Sequence, residues 1–167
     1  MAGGGGIGRR GFFGTVAALG AAGVVVSLSI GTTALAGNAD MFATMRATQN
    51  IENARAGSEF ALPPRRVIEL ATINGARDLG IADRVGSLAP GKRADLILVR
   101  TTDVNIGPFT DPAHLLVEAA QPSNVDTVVV DGRILKRGGQ LTALDGEQLA
   151  REAAASLAAV RARAGGP

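Results

Sequence analysis

The chain has 167 residues and 16.9 kDa, room for one domain with a core of its own and too little for two full domains. Hydrophobic residues at 46% and charged residues at 19% exclude disorder throughout, and an aromatic share of 3% with no Trp or Tyr leaves the core to Ala, Val, Leu and Ile. The formal net charge is only +2, with no basic patch interleaved with aromatics, which excludes a nucleic-acid binder; with no Cys there is neither a disulfide framework nor a thiolate metal site, and His114 is the one imidazole.

The N-terminal stretch supports two readings. Residues 1 to 39 carry two charges, Arg9 and Arg10, ahead of an apolar or small run from Phe12 to Ile30. Arg9-Arg10-Gly11-Phe12-Phe13 is similar to a twin-arginine export motif, and Ala34-Leu35-Ala36 before Gly37 has the form of a small-residue cleavage site. A spanning helix is disfavoured by Gly14, Gly20, Gly23, Ser27 and Ser29, so no stable membrane insertion is expected. The other reading ends a helix between Phe13 and Gly20 and makes Val24 to Ile30 a buried parallel strand, on the β-branched run Val24-Val25-Val26 between glycines. Composition leaves both open.

Downstream, Asp40 to Ala56 reads as a helix with Met41, Met45, Thr48 and Ile51 on one side, so that strand, loop and helix would make a βα unit. Pro64 suits the first turn of a second helix, with Val67, Ile68, Ala71, Gly75 and Leu79 at helical spacing and Gly80 as its stop. A turn at Pro90-Gly91 leads into the strand Ala94 to Val99, and Pro112 opens a helix over Asp111 to Gln121. The segments Asp126 to Val130 and Arg133 to Lys136 flank Asp131-Gly132, a dipeptide that favours the two-residue hairpin turn. Asp145 caps a last helix, with Gln148 reaching back as in a capping box and a buried stripe of Leu149, Ala153, Leu157 and Val160.

Three stretches carry a family resemblance: "NADMFATMRA" from Asn38, "ATINGARDLGIADRVGSLAPGKRADLILV" from Ala71 and "VDTVVVDGRILKRGGQL" from Val125. With them the chain resembles the C-terminal part of a metal-dependent amidohydrolase, in the branch of cytosine and adenosine-analogue deaminases and chlorohydrolases. The resemblance spans roughly residues 20 to 164 and favours the strand reading of Val24 to Ile30. It implies an α/β fold: the last strand and helices of a (β/α)8 TIM-type barrel plus the C-terminal half of a small composite β-sandwich, incomplete as a lone chain. The expected division is a flexible Gly-rich N-terminus at 1–19, a barrel piece at 20–82, a sandwich portion at 83–143, and a helix and tail at 144–167.

The activity implied by the resemblance is metal-dependent hydrolysis of non-peptide C–N bonds in small, heterocyclic or amide-bearing substrates, with Zn or Fe as the divalent metal. Such sites take four His from earlier strands, beginning with a His-x-His pair, and an Asp at the C-terminal end of the last strand as ligand and proton acceptor. That last position is Gly31, which has no side chain. His114 is read as a partly buried helix residue rather than a ligand. Asp40 is a first-turn helix acid, Asp83 a turn residue, Asp95 a residue leading into a strand, and Ser27 and Ser29 strand residues with no base nearby. Catalytic, cofactor-binding and metal residues are therefore expected to be none, and the lone chain inactive. A complementary barrel-bearing chain is the expected partner, with a small-molecule substrate only in the completed enzyme and a cytoplasmic location. Two alternatives stand beside this: a non-catalytic subunit completing a split hydrolase in trans, and a small exported protein with a twin-arginine signal.

Overall fold

The computed structural model describes residues 25–31 and 39–165, so the twin-arginine motif, the helix end at Phe13 to Gly20 and the Ala34-Leu35-Ala36 site lie outside the described residues. The elements in chain order are α1 (Met41–Ala56), α2 (Pro64–Ala71), α3 (Ile73–Asp78), β1 (Leu96–Val99), α4 (Pro112–Glu118), a 3-10 turn (Pro122–Asn124), β2 (Val125–Val130), β3 (Arg133–Arg137), β4 (Gln140–Leu141) and α5 (Gly146–Arg163). They form an α/β fold in which helices pack beside an open four-stranded antiparallel sheet of order β1-β2-β3-β4.

Helix α1 starts where Asp40 Oδ1 accepts the amide hydrogens of Phe42 (2.9 Å) and Ala43 (3.2 Å), two donors that the helix itself cannot satisfy. Asp40 thus stands at the N-cap, just before the first turn. The buried face of α1 is Phe42, Met45 and Gln49, whereas Ile51 is 52% exposed. The face expected from Met41, Met45, Thr48 and Ile51 is therefore rotated toward Gln49, whose Nε2 donates to the Leu62 carbonyl at 2.9 Å and so closes the loop that follows α1.

The helix expected from Pro64 to Leu79 is two helices. Thr72 breaks it, with φ −132° and ψ −93°, while its Oγ1 donates back to the Ile68 carbonyl at 2.7 Å. This competition of a threonine hydroxyl for the helix carbonyls explains the break. Helix α3 then ends in a Schellman motif, Gly80 N to Arg77 O (3.0 Å) and Ile81 N to Ala76 O (2.9 Å), which places the stop at the expected glycine.

The core is the seam between α1, α2 and α4, reaching the start of β2: Phe42, Met45, Val67, Ile106, Leu115, Val117, Ala120 and Val125. Arg46 Nη2 fastens α1 to the end of α4 through the Ala120 carbonyl at 2.9 Å. The loop over residues 82–93 is tied down by Lys92, whose Nζ donates to the Ala82 carbonyl (2.5 Å) and to Ser87 Oγ (2.7 Å). Gly86 in that loop lies so close to α3 that a Cβ there would meet Ala76 Cβ at 2.7 Å and Ile73 Cα at 3.0 Å, at a φ of +85°. Only glycine fits both constraints.

The hairpin forms as expected, with Val130 opposite Arg133 and both turn residues left-handed, Asp131 at φ +51° and Gly132 at +76°. Asp95 Oδ1 accepts the Asp131 amide hydrogen at 2.6 Å, so the residue leading into β1 also fixes the hairpin tip.

Two expectations are corrected. Residues 25–30 lie outside the sheet rather than forming a strand in it; Leu28 N donates to Leu70 O (2.9 Å) and Asn74 Nδ2 to Val26 O (2.8 Å), so the segment is held by α2 and α3. A strand is defined by its ladder neighbours, and among the described residues no strand of the sheet pairs with this segment. In α5 every residue is exposed, and Leu149 (49%), Leu157 (52%) and Val160 (51%) face no other described element. The stripe is present in sequence, but no described residue packs on it. Asp145 caps this helix through Glu147 N (2.9 Å) and Gln148 N (3.1 Å), while the Gln148 side chain bonds Glu152 at 2.7 Å instead of reaching back.

Candidate functional site

The resemblance expects a metal-binding carboxylate at the end of the segment 25–31, at the position of Gly31. Gly31 is exposed with φ +53°, its amide hydrogen donated to Ser29 Oγ at 3.2 Å, and a Cβ built on it would have nothing within 4 Å. There is space for a side chain and no ligand atom to fill it. The Ser29 hydroxyl serves the local turn, and half-buried Ser27 lies against Gly75 of α3.

The other candidates do not converge on Gly31. Asp40 is occupied by the α1 amides and Asp95 by the hairpin tip, while Asp83 is exposed in a turn. His114 is exposed on α4, a correction to the expected partial burial: Ala113, Leu115 and Val117 take the buried positions of that short helix. Among the described residues no three His, Cys, Asp or Glu side chains come together in a way that could hold a metal ion. The described residues therefore do not fit a zinc or iron centre. One shallow surface depression of about 250 Å³ is lined by Asn53, Ala54, Gly57, Ser58 and Glu59, none of them a candidate above.

A dense polar cluster among the described residues lies elsewhere, at the junction of α4 and β2, and sequence reasoning missed it. Asn124, 1% exposed, donates from Nδ2 to Asp103 Oδ2 (2.7 Å) and Asn105 Oδ1 (2.9 Å), and its Oδ1 accepts from Gln121 N (2.8 Å) and Asn105 Nδ2 (3.0 Å). Arg100 forks onto Asp103 at 3.1 to 3.2 Å and reaches Asp126 at 3.6 Å and the Ser123 carbonyl at 2.8 Å. The hydrogen bonds from Arg100 and Asn124 hold the Asp103 carboxyl below the usual aspartate range. Asn124 has no valence left for a ligand, so the cluster acts as a lock on the chain's path into the sheet. No short motif announces it, because its members are spread over residues 100–126.

Among the described residues, no helix is long and apolar enough to cross a membrane. Comparison with known proteins gives a consistent picture. A 5'-deoxyadenosine deaminase of Methanothermobacter thermautotrophicus is 40% identical over 138 residues, 81% of this chain and 32% of that protein. A 5-methylthioadenosine/S-adenosylhomocysteine deaminase of Desulfitobacterium hafniense is 43% identical over 131 residues, 78% of this chain and 30% of that protein. Among solved structures, an adenosine deaminase from Xanthomonas campestris with bound zinc superposes with a TM-score of 0.78 at 27% identity, covering 88% of this chain and 34% of the other. An atrazine chlorohydrolase from Arthrobacter aurescens TC1 complexed with zinc gives 0.63 at 25% identity, covering 68% and 25%. The chain thus spans about a third of the length of the curated relatives it matches. A model of the amidohydrolase family matches residues 9–135, more than half the sequence and including Arg9, Arg10 and Gly31. The chain belongs to the amidohydrolase family.

Proposed function

We propose that this chain is the C-terminal part of an amidohydrolase of the deaminase and chlorohydrolase branch, unable to catalyse by itself. The parent reaction is metal-dependent hydrolysis of a non-peptide C–N bond in a small heterocyclic substrate, with adenosine-like nucleosides favoured by the names of the relatives. One observation carries the reading: Gly31 stands where the metal-binding carboxylate belongs, in a sequence whose single imidazole is the exposed His114. A hydrolytic zinc needs about three protein ligands and an open position, which these residues do not supply.

In this reading residues 20–82 are a barrel piece and 83–143 a sandwich portion. Residues 25–30, an irregular segment docked on α2 and α3 here, take the place of the last barrel strand in the complete fold. The missing strands and the His-x-His pair come from a barrel-bearing polypeptide, with this chain as a non-catalytic subunit that completes the fold. The family match beginning at residue 9 supports taking the apolar N-terminal run as part of the barrel and not as an export signal, which goes with a cytoplasmic location.

The test is purification of the tagged chain from its own cells, followed by native mass spectrometry and an ammonia-release assay with 5'-deoxyadenosine and 5-methylthioadenosine. The expected result is a heavier His-rich chain in the same complex, with zinc and turnover in the complex only. Stoichiometric zinc and turnover in the lone 16.9 kDa chain would refute the reading.

A further inference from the structure

The segment 25–31 has no strand beside it among the described residues, yet it is gripped as a strand would be. Val26 O accepts a hydrogen bond from Asn74 Nδ2 at 2.8 Å, and Leu28 N donates to Leu70 O at 2.9 Å. The two bonds flank Ser27. In a parallel ladder one residue of the neighbouring strand does the same: its N–H donates to the carbonyl just before the residue it faces, and its C=O accepts from the amide just after. Here the donor is a side-chain carboxamide and the acceptor a helix carbonyl. Ser27 lies against Gly75 of α3, where an added Cβ would meet Ser27 Cβ at an ordinary 4.0 Å.

The break at Thr72 makes the acceptor available. In an unbroken helix the Leu70 carbonyl would be taken by the amide of Asn74, one turn on. The turn at Thr72, φ −132° and ψ −93°, separates α2 from α3 and releases that carbonyl for Leu28. The Asn74 carboxamide, 3% exposed, is oriented from its other end: Arg77 Nη1 donates to Oδ1 at 2.9 Å, which turns the Nδ2 donor toward Val26. The Leu28 side chain packs against the core, and Ser29 Oγ accepts the Gly31 amide hydrogen at 3.2 Å, closing the stretch at the position where the resemblance expects a carboxylate.

We infer that Leu70 O and Asn74 Nδ2 form a clasp that stands in for one residue of a parallel strand, with Thr72 and Asn74 as positioning residues for the segment that ends at Gly31. The clasp takes only the edge of Val26 and Leu28. On the other edge, the main-chain groups of Ser27 hydrogen-bond to no described residue, and that edge is open. This goes beyond the proposed function and does not depend on it, because a clasp within the lone chain requires neither metal nor a second polypeptide.

Residue-resolved hydrogen exchange of the full chain tests the clasp. The Leu28 amide is expected to be protected while the Ser27 and Ser29 amides on either side exchange freely, an alternation that burial of the segment alone would not produce. Asn74→Asp keeps the shape and the acceptor for Arg77 but sets a carboxylate oxygen against the Val26 carbonyl. Leu28 should then exchange at least about fivefold faster, the worth of one hydrogen bond, while the amides of α1 and α4 keep their rates. Thr72→Ala removes the competing hydroxyl and supplies a better helix former, so helical circular dichroism should rise as Leu28 protection falls. Equal protection at Ser27, Leu28 and Ser29 overturns the inference, as does an unchanged Leu28 in Asn74→Asp. Acceleration of Leu28 only in step with α1 and α4 overturns it too, since Asn74 would then support the whole core, and so does protection of Leu28 that survives a gain of helix in Thr72→Ala. Every readout comes from the lone chain, so failure to find a barrel-bearing partner would count against the proposed function and leave the clasp standing.

Discussion

At Gly31 the backbone and the surrounding space set different expectations for an aspartate. The open space admits the side chain, while the φ of +53° imposes about 1 kcal/mol of strain on a residue with a Cβ, tolerated best by Asn and Asp. Gly31→Asp should therefore fold, lose about that much stability in a urea titration, and still bind no stoichiometric zinc by elemental analysis, since one carboxylate is not a site. One zinc per chain in that variant would mean that other ligands gather there. Asn124→Ala makes a sharper demand. It strips partners from Asp103, Asn105 and the Gln121 amide at a position only 1% exposed, so a loss of about 1–3 kcal/mol is expected. The pH dependence follows from Asp103, whose folded carboxyl is held below the ordinary value of about 3.9. Its stabilisation is fully present above that value and is lost as pH falls through the lower, folded one. Removing the Asn124 bond raises the folded pKa, so the acid-unfolding midpoint of Asn124→Ala should move to higher pH than that of the parent chain; an Asp103→Asn background should remove the displacement. Gly31 draws attention in the sequence because stretches with a family resemblance lie around it. Asn124 does not, since its partners at 103, 105 and 121 meet it only after α4 and β2 have packed.

At the scale of elements, local chemistry predicted well and tertiary supply did not. The Asp145 cap, the Pro112 start, the Gly80 stop and the Asp131-Gly132 hairpin depend on a few adjacent residues and appear in place, while Asp40, expected in the first turn of α1, is its cap. The break at Thr72 was hidden because the apolar spacing from Val67 to Leu79 runs straight through it, and the hydroxyl's bond to Ile68 leaves no trace in hydrophobic periodicity. The α5 stripe was legible as a pattern, but a pattern states that a face wants cover, not which chain provides it. Gly86→Ala tests the contact between the loop and α3: the added methyl meets Ala76 and Ile73 below van der Waals distance at a positive φ, and a loss of about 2–3 kcal/mol is expected in chemical denaturation. A loss under about 0.5 kcal/mol would mean that the loop lifts off α3 freely. Val117→Ala should cost about 2 kcal/mol, because Val117 is fully buried between the helices, whereas Val104→Ala at a fully exposed position should stay within about 0.5 kcal/mol.

For the whole molecule, the proposed reading turns on where a fold that spans about a third of its relatives' length would meet a barrel-bearing chain. Strand β1 is one edge of the sheet, and its Ile97 and Leu98, pointing to opposite faces, are 47% and 55% exposed. An edge strand that carries apolar side chains on both faces invites another strand or layer, and lone chains usually blunt such an edge with lysine. Paired substitutions Ile97→Lys and Leu98→Lys separate folding from assembly. Both side chains already reach solvent in this chain, so its unfolding free energy should change by no more than about 0.5 kcal/mol per site, and aggregation on standing should fall. If β1 is the seam with a barrel-bearing polypeptide, the same variant should lose that polypeptide on purification from its own cells, because two ammonium groups would have to be desolvated there. Retention of the larger chain at unchanged yield would place the seam elsewhere, with the segment 25–31 as the next surface to alter.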